Sequence, residues 1–150
     1  MATGKQWRSR ARQFALQALY QWQMTGEDTS TIQVQFMENK ELANFDVKLF
    51  TKLLYSIPEN LEQLDNTLSP FLDRTLSRVD PVERAVLRIG AYELLEHIEI
   101  PYRVIINEAV ELAKRFGAEQ GHRYVNGVLD RLARKIRVNE IATRRSRTKS

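Results

Sequence analysis

Residues 80–97 read DPVERAVLRIGAYELLEH, and this stretch decides the fold. Asp80 is a residue type that caps helices and Pro81 suits the first helical position, so a helix is predicted from here to about residue 97. Apolar residues recur on two sides of this helix. The two stripes are Val86, Leu87, Gly90 and Leu94, and Val82, Ala85, Ile89 and Tyr92. A helix that is apolar on two sides either lies at the centre of the fold or docks a partner.

Helical periodicity also dominates the rest of the chain. Amphipathic stretches occupy residues 8–24, 101–116 and 122–137, among others, while the period-2 alternation typical of strands is missing from the sequence. The chain has 6 Gly and 4 Pro, too few for a loop-rich β protein. A length of 150 residues suits one domain with a real core. The sequence therefore predicts an all-α protein with a single domain over residues 1–138.

Composition excludes several classes of protein. The chain has 0 Cys, which excludes disulfide scaffolds, thiolate metal sites and cysteine nucleophiles. No apolar run is long enough to span a membrane and no signal sequence is evident, so we expect a cytoplasmic protein without a membrane partner.

Motifs for catalysis or cofactor binding are also missing. The phosphate-loop, dinucleotide, zincin and serine-hydrolase signatures are not found in the sequence. Glu93, Glu96 and His97 share one helix, but their spacing is not that of a helical two-metal site, and we interpret them as a solvated face. We expect no catalytic residues, no metal and no cofactor, and hence a protein that is not an enzyme.

Charge is distributed unevenly along the chain. Residues 1–12 hold four basic residues and no acidic one, whereas residues 131–150 hold eight basic residues and Glu140. The two ends together carry +11 and residues 13–130 carry −7, although the net charge is only +4. This asymmetry favours a polyanionic partner, but ends that merely aid solubility would give the same charges. Residues 139–150 are predicted to be a disordered basic tail.

The type of basic residue points to RNA. Arginine presents a planar fork that binds phosphate and stacks on bases, and Arg8, Arg10 and Arg12 precede or open the first helix. On the last helix, Tyr124 lies beside Gly127 and Arg131, a pattern that suits the stacking of an unpaired base. Helical geometry alone favours the simpler interpretation of Tyr124 as a half-buried tyrosine at the edge of the core.

Three segments resemble the hallmark segments of the NusB transcription antitermination family. They are RSRARQFALQALYQWQ (residues 8–23), DPVERAVLRIGAYELL (residues 80–95) and IPYRVIINEAVELAKRFGAEQGHRYVNGVLD (residues 100–130). The resemblance implies two roughly perpendicular three-helix bundles with roughly seven helices. It also implies a non-enzymatic factor that binds the boxA element of rRNA leader transcripts together with the ribosomal protein NusE. With other Nus factors, such a complex helps RNA polymerase to read through terminators in rRNA operons.

The resemblance also implies site residues. RNA-binding positions fall on Arg8, Arg10, Arg12, Gln120, His122, Arg123 and Tyr124, and candidates for the NusE-facing surface are Glu83, Arg88 and Tyr92. The polar face of the last helix adds Arg131 to the predicted RNA-binding residues. Two positions depart from the family pattern, since Gln120 replaces a frequent Asp and Tyr124 replaces a frequent Phe.

Two other functions stay open at this point. The chain could be an RNA-binding module of an rRNA-modifying assembly, because one family of rRNA cytosine methyltransferases has a NusB-like domain. A free-standing methyltransferase is excluded, since no residues remain for a cofactor-binding α/β domain. The chain could also be a purely protein-interacting helical module. A homodimer is open as well, because a helix with two apolar faces can pair with its own copy.

Overall fold

Helices form the regular structure of the computed structural model, which describes the backbone of residues 3–149 and the side chains of residues 3–143. In chain order they are α1 (Gly4–Thr25), α2 (Thr29–Glu38), α3 (Val47–Glu59), α4 (Leu61–Leu68), α5 (Pro81–Glu96), α6 (Tyr102–Phe116), α7 (Gly121–Ile136) and α8 (Val138–Lys149). Two 3-10 turns, Ser69–Phe71 and Leu76–Arg78, lie between α4 and α5. The all-α prediction is confirmed. None of the helices within residues 3–149 is long and apolar enough to cross a membrane.

Capping residues set where the important helices begin. Asp80 caps α5 as predicted, because its Oδ1 accepts hydrogen bonds from the backbone N–H groups of Val82 and Glu83 at 2.9 and 3.3 Å. Thr3 and Gln6 form a capping box at the start of α1. This box starts α1 at Gly4, earlier than the predicted residue 8, so the N-terminal arginines stand on a helix rather than on a flexible arm.

Helix α5 is the centre of the fold. It contacts α1, α3, α4, α6 and α7, and every residue from Ala85 to Leu94 is buried. Around it, α1 packs with α2 and α3 on one side, and α6 packs with α7 on the other. The two apolar stripes of residues 80–97 therefore serve two groups of helices, which is the first of the two alternatives that the sequence left open.

The C-terminal residues differ from the prediction of a tail that is disordered from residue 139. The backbone of residues 138–149 is helical, and hydrogen bonds attach the first turn of α8 to the domain. Buried Arg137 donates to the backbone oxygens of Leu94 and Ile100 and to the Glu140 carboxylate at 2.8, 3.0 and 2.7 Å. Glu140 in turn accepts from the backbone N–H of Tyr102 at 3.0 Å. The boundary of the domain at residue 138 stays a prediction, and the side chains of the tail arginines lie outside the described residues.

Gly90 marks the closest approach of two helices and gives the first testable prediction. A Cβ at this position of α5 would lie 2.5 Å from Cδ1 of Leu129, a fully buried residue of α7. We expect Gly90→Ala to lower the free energy of unfolding by about 1–3 kcal/mol, although alanine is the better helix former. Urea denaturation followed by circular dichroism measures this change.

Gly127 on α7 is the matched control for Gly90. The nearest atom to a Cβ at this position would be Nη1 of Arg131, at an ordinary contact distance of 3.6 Å. We expect Gly127→Ala to stabilise the protein by up to about 1 kcal/mol. Equal effects of the two substitutions would contradict the close α5–α7 packing.

Candidate nucleic-acid interface

Arg8 and Arg10 present their side chains at the first turns of α1. Arg8 is exposed and lies beside Lys48 and Lys52 of α3, with Asp46 and Glu99 as neighbouring acids. Arg10 is half-buried, and its Nη1 donates to the backbone oxygen of Asn44 at 3.0 Å. Both guanidinium groups keep donors free for a phosphate, as the RNA prediction requires.

Arg12 corrects the prediction of three RNA-binding arginines. It is 3% exposed and donates two hydrogen bonds to the Glu93 carboxylate, at 2.7 and 2.9 Å. In the core, the charge of Arg12 is balanced by the Glu93 carboxylate. A second carboxylate, that of Glu108, has its Oε1 3.8 Å from Nη1 of Arg12. Glu93 and His97 are buried too, so the solvated face predicted for them is wrong. Arg12 therefore holds α1 to α5 and is not available to RNA.

The C-terminal end of α6 contacts α1 near the N-terminal basic residues. Arg115 donates to the side-chain oxygen of Gln13 on α1 at 2.8 Å, and its guanidinium lies 5.2 Å from the centre of the Phe116 ring. A groove of about 650 Å³ runs here between α1 and α6, lined by cations and by Glu108 and Glu111. Helix α7 begins at Gly121, shortly after Phe116.

The predicted residues at the start of α7 are accessible. Gln120 and Arg123 are exposed and His122 is half-buried. No acidic residue lies in the first turn of α7, and Gln120 makes no capping hydrogen bond with its side chain. No side chain of this turn faces the positive end of the helix dipole with a negative charge, but the carboxyl of Glu83 from α5 lies against Gly121 there.

Tyr124 is half-buried and covered from outside by a neighbouring loop. The backbone N–H of Asp73 donates to its hydroxyl at 3.4 Å, and the Arg74 guanidinium lies 5.0 Å from the centre of its ring. Burial raises the pKa of the Tyr124 hydroxyl, so the side chain is neutral at physiological pH. Arg131 is exposed, and its Nη2 donates to the backbone oxygen of Phe71 at 2.8 Å.

The three residues predicted to face NusE are buried instead. Exposure is 7% for Glu83, 8% for Arg88 and 5% for Tyr92. Arg88 binds Asp65 of α4 through two hydrogen bonds of 2.9 and 3.0 Å, and its third bond is to Gln23 of α1. These residues lie on the faces of α5 that the surrounding helices cover. The prediction is therefore corrected: their side chains hold the fold together.

Glu83 is nevertheless chemically unusual. Its carboxyl lies against Gly121 at the start of α7, where a Cβ would collide with it, and Oε2 has no hydrogen-bond partner. Burial, reinforced by the Asp80 carboxylate, raises the pKa of Glu83 to about 7. The carboxyl beneath the first turn of α7 is therefore close to half protonated at neutral pH.

Sequence reasoning missed Arg74, Arg115 and Phe116 at this surface. Arg115 stands four residues after Glu111, a spacing typical of a helix-surface ion pair, but that carboxylate lies 3.6 Å from Lys114 instead. Arg74 stands in a loop without helical periodicity, so no pattern places it near Tyr124. Within the described part of the chain, no group of three or more His, Cys, Asp or Glu residues could hold a metal ion.

Comparisons with known proteins show the family to which the chain belongs. The sequence model of the NusB family matches residues 9–134. The transcription antitermination protein NusB of Nitrosococcus oceani is 55% identical over 137 residues, which cover 91% of this chain and 92% of that protein. The chain belongs to the NusB family. A second member, from Hahella chejuensis, is 48% identical and covers 99% of this chain and 100% of its own length.

Solved NusB structures share the fold. NusB of T. maritima has a TM-score of 0.74 at 35% identity and covers 89% of this chain and 93% of its own. A crystal structure of the antitermination factors NusB and NusE in complex with double-stranded RNA has a TM-score of 0.77 at 28% identity, covering 86% of this chain and 97% of that chain. The family match includes Arg10 and the whole start of α7, whereas α8 follows it.

The raised pKa of Glu83 predicts how stability changes with pH. Between the ordinary value of 4.5 and about 7, the folded state keeps a proton that the unfolded state releases. The bound proton therefore adds to the free energy of unfolding below pH 4.5, and this contribution is lost as the pH rises through 7. We therefore expect Glu83→Gln to be more stable than the parent protein at pH 8, with the difference shrinking towards pH 5.

Urea denaturation at several pH values measures this difference. Glu62→Gln, at an exposed position of α4, is the matched control and should leave the pH profile unchanged. A parallel profile for Glu83→Gln and the parent protein would contradict the protonation of Glu83.

Proposed function

We propose that this protein is a non-enzymatic RNA-binding transcription antitermination factor of the cytoplasm. It binds the boxA element of rRNA leader transcripts together with NusE, and with other Nus factors it promotes read-through by RNA polymerase. The observation that carries the proposal is the contact between α1 and the end of α6, where Arg115 donates to Gln13 beside a groove that Lys5 and Arg10 also line. Membership of the NusB family and the similar NusB–NusE–RNA structure support it.

RNA binding divides between two kinds of contact on this surface. Arg8 and Arg10 supply charge-assisted hydrogen bonds to phosphates, because their donors face solvent at the start of α1. At α7, Gln120, His122 and Arg123 surround a helix end that favours anions, and Tyr124 offers an aromatic ring for an unpaired base. Phosphate contacts fix the strand, and stacking selects single-stranded RNA.

The protein partner needs a surface other than the buried residues of α5. Tyr20 and Met24, in the last turns of α1, are 39% and 56% exposed. Gln23 between them donates to the backbone oxygen of Pro81 at 2.9 Å, so these apolar side chains lie beside the first turn of α5. Val82 in that turn is half-buried. We assign the NusE contact to this apolar surface, which leaves the cationic side free for RNA.

Fluorescence anisotropy with labelled boxA RNA tests the proposal. The full chain should bind boxA RNA more tightly than a scrambled RNA of equal length, and added NusE should strengthen the boxA complex further. Equal binding of both RNAs with no effect of NusE would contradict it. Methyl transfer to RNA by the purified protein would favour a role in an rRNA-modifying assembly instead.

Substitution of Arg8 and Arg10 tests whether these side chains bind the phosphates of the RNA. We expect Arg8→Gln with Arg10→Gln to weaken binding and to reduce the slope of log K against log salt by about 0.7 for each phosphate that the protein no longer neutralises. Lys40→Gln, at an exposed position between α2 and α3, is the control, because it also replaces a positive side chain by glutamine. An unchanged slope in the double variant would favour a purely protein-interacting module.

A further inference from the structure

The loop from Leu72 to Thr75 lies on the outer face of α7 and bears directly on the RNA surface. It joins the two 3-10 turns, and contacts on both sides of it hold it to the helix. Phe71, just before the loop, accepts from Arg131 at 2.8 Å and lies below Lys135, whose Nζ is 6.0 Å from the ring centre. Asp73 donates its backbone N–H to Tyr124 at 3.4 Å.

Arg74 takes the position over Tyr124 that a stacked base would need. The ring of Tyr124 packs partly against the hydrophobic core, and the Arg74 guanidinium stands 5.0 Å from the ring centre on the accessible side. The Arg74 side chain is 47% exposed, so solvent and ligands can reach it. A guanidinium attracted to the face of an aromatic ring is a cation–π contact, which is weak at an exposed position.

We propose that Arg74 is an RNA-binding residue: a base of single-stranded RNA stacks on Tyr124, and Arg74 turns outward to bind a phosphate of the same strand. The proposal rests on the RNA-binding function above and adds a contact from a segment that neither the sequence nor the family resemblance marked. Arginine suits this change of partner from ring to phosphate. Its planar guanidinium can move off the Tyr124 ring and bind a phosphate through two N–H donors.

The surroundings of Arg74 favour a nucleic-acid strand over an acidic protein. Arg123, Arg131 and Lys135 are exposed on the same helix as Tyr124, and none forms an ion pair with a carboxylate among residues 3–143. Gly127 leaves room along this face, since the nearest atom to its missing Cβ is Nη1 of Arg131. An acidic peptide would use the cations alone, whereas single-stranded RNA uses the cations and the ring together.

Asp73 acts as an internal competitor for the phosphate. Its carboxylate accepts two hydrogen bonds from Arg74, at 2.7 and 2.9 Å, and both side chains are largely exposed. The bond to Arg74 lowers the pKa of Asp73 to about 2, so the carboxylate is charged at physiological pH. Because an exposed ion pair contributes little to stability, a phosphate can replace Asp73 as the partner of Arg74.

Salt-dependent anisotropy with single-stranded boxA RNA and the full chain tests the proposal. Arg74→Gln should weaken binding about three- to tenfold near 0.1 M salt and reduce the log–log salt slope by about 0.7. Arg78→Gln is the matched control, since Arg78 is exposed in the neighbouring 3-10 turn and makes no ion pair within residues 3–143. This control should leave both affinity and slope unchanged.

Asp73→Asn tests whether Asp73 weakens RNA binding by holding Arg74 or only by repelling the phosphates. It should strengthen RNA binding in the parent protein but have a smaller effect when combined with Arg74→Gln. Equal effects in the two backgrounds would show that Asp73 acts by simple repulsion and would contradict the exchange. Thermal unfolding of each variant, followed by circular dichroism, checks that the fold is unaltered.

Other outcomes distinguish this inference from the proposed function. Unchanged affinity and slope for Arg74→Gln, or tighter binding by this variant, would overturn the role of Arg74 while leaving boxA binding intact. Equal affinity of the parent protein for boxA and scrambled RNA would contradict boxA recognition, but the weakening caused by Arg74→Gln would still be measurable on either RNA. Absence of binding to both RNAs would overturn both proposals.

Discussion

The pairing of Arg12 with Glu93 between α1 and α5 is the interaction on which the rest of the structure depends. Two charges are almost fully removed from water here, and each is satisfied by the other through two short hydrogen bonds. Burial alone would raise the pKa of Glu93, but the nearby His97 ring and the two hydrogen bonds from Arg12 lower it, so the carboxylate stays charged. Removal of either partner would leave an uncompensated buried charge, which is far more costly than the removal of a surface ion pair. The pair therefore fixes how α1 lies on α5.

The functional surface follows from this fixed position of α1. With Arg12 held inside, Arg8 and Arg10 project from the turns of α1 that extend towards its capped end. Ser9, on the same stretch, donates to Glu108 of α6 at 2.7 Å, and Gln13 one turn on accepts from Arg115. Arg10 thus lines the groove between α1 and α6, whereas Arg8 lies beside Lys48 and Lys52 of α3. A rigid scaffold of this kind orders the charges before RNA arrives, so little conformational entropy has to be given up on binding.

Periodicity predicted the scaffold better than it predicted the site. The cap at Asp80 and the two apolar stripes of α5 depend on local sequence, and both are found in the structure. Arg8 and Arg12 were indistinguishable in the sequence, because residues four apart fall on nearly the same face of a helix. Their difference in burial arises from the partner helices, since Glu93 lies opposite Arg12. For the same reason, the prediction that Arg88 and Tyr92 face NusE was wrong. Polar or aromatic residues on a central helix resemble a docking surface until their neighbours are known.

By itself, the sequence determined an all-α chain, a central helix over residues 80–97, two basic ends and membership of a family through three long segments. These properties depend on residue type and on spacing within one helix, which the sequence records directly. The tertiary structure alone decided which arginines reach solvent, that the end of α6 contacts α1 through Arg115 and Gln13, and that Arg74 covers Tyr124. Each of these depends on contacts between residues far apart in the chain. Such contacts are set by how helices pack against one another, and the pattern within one helix does not contain them.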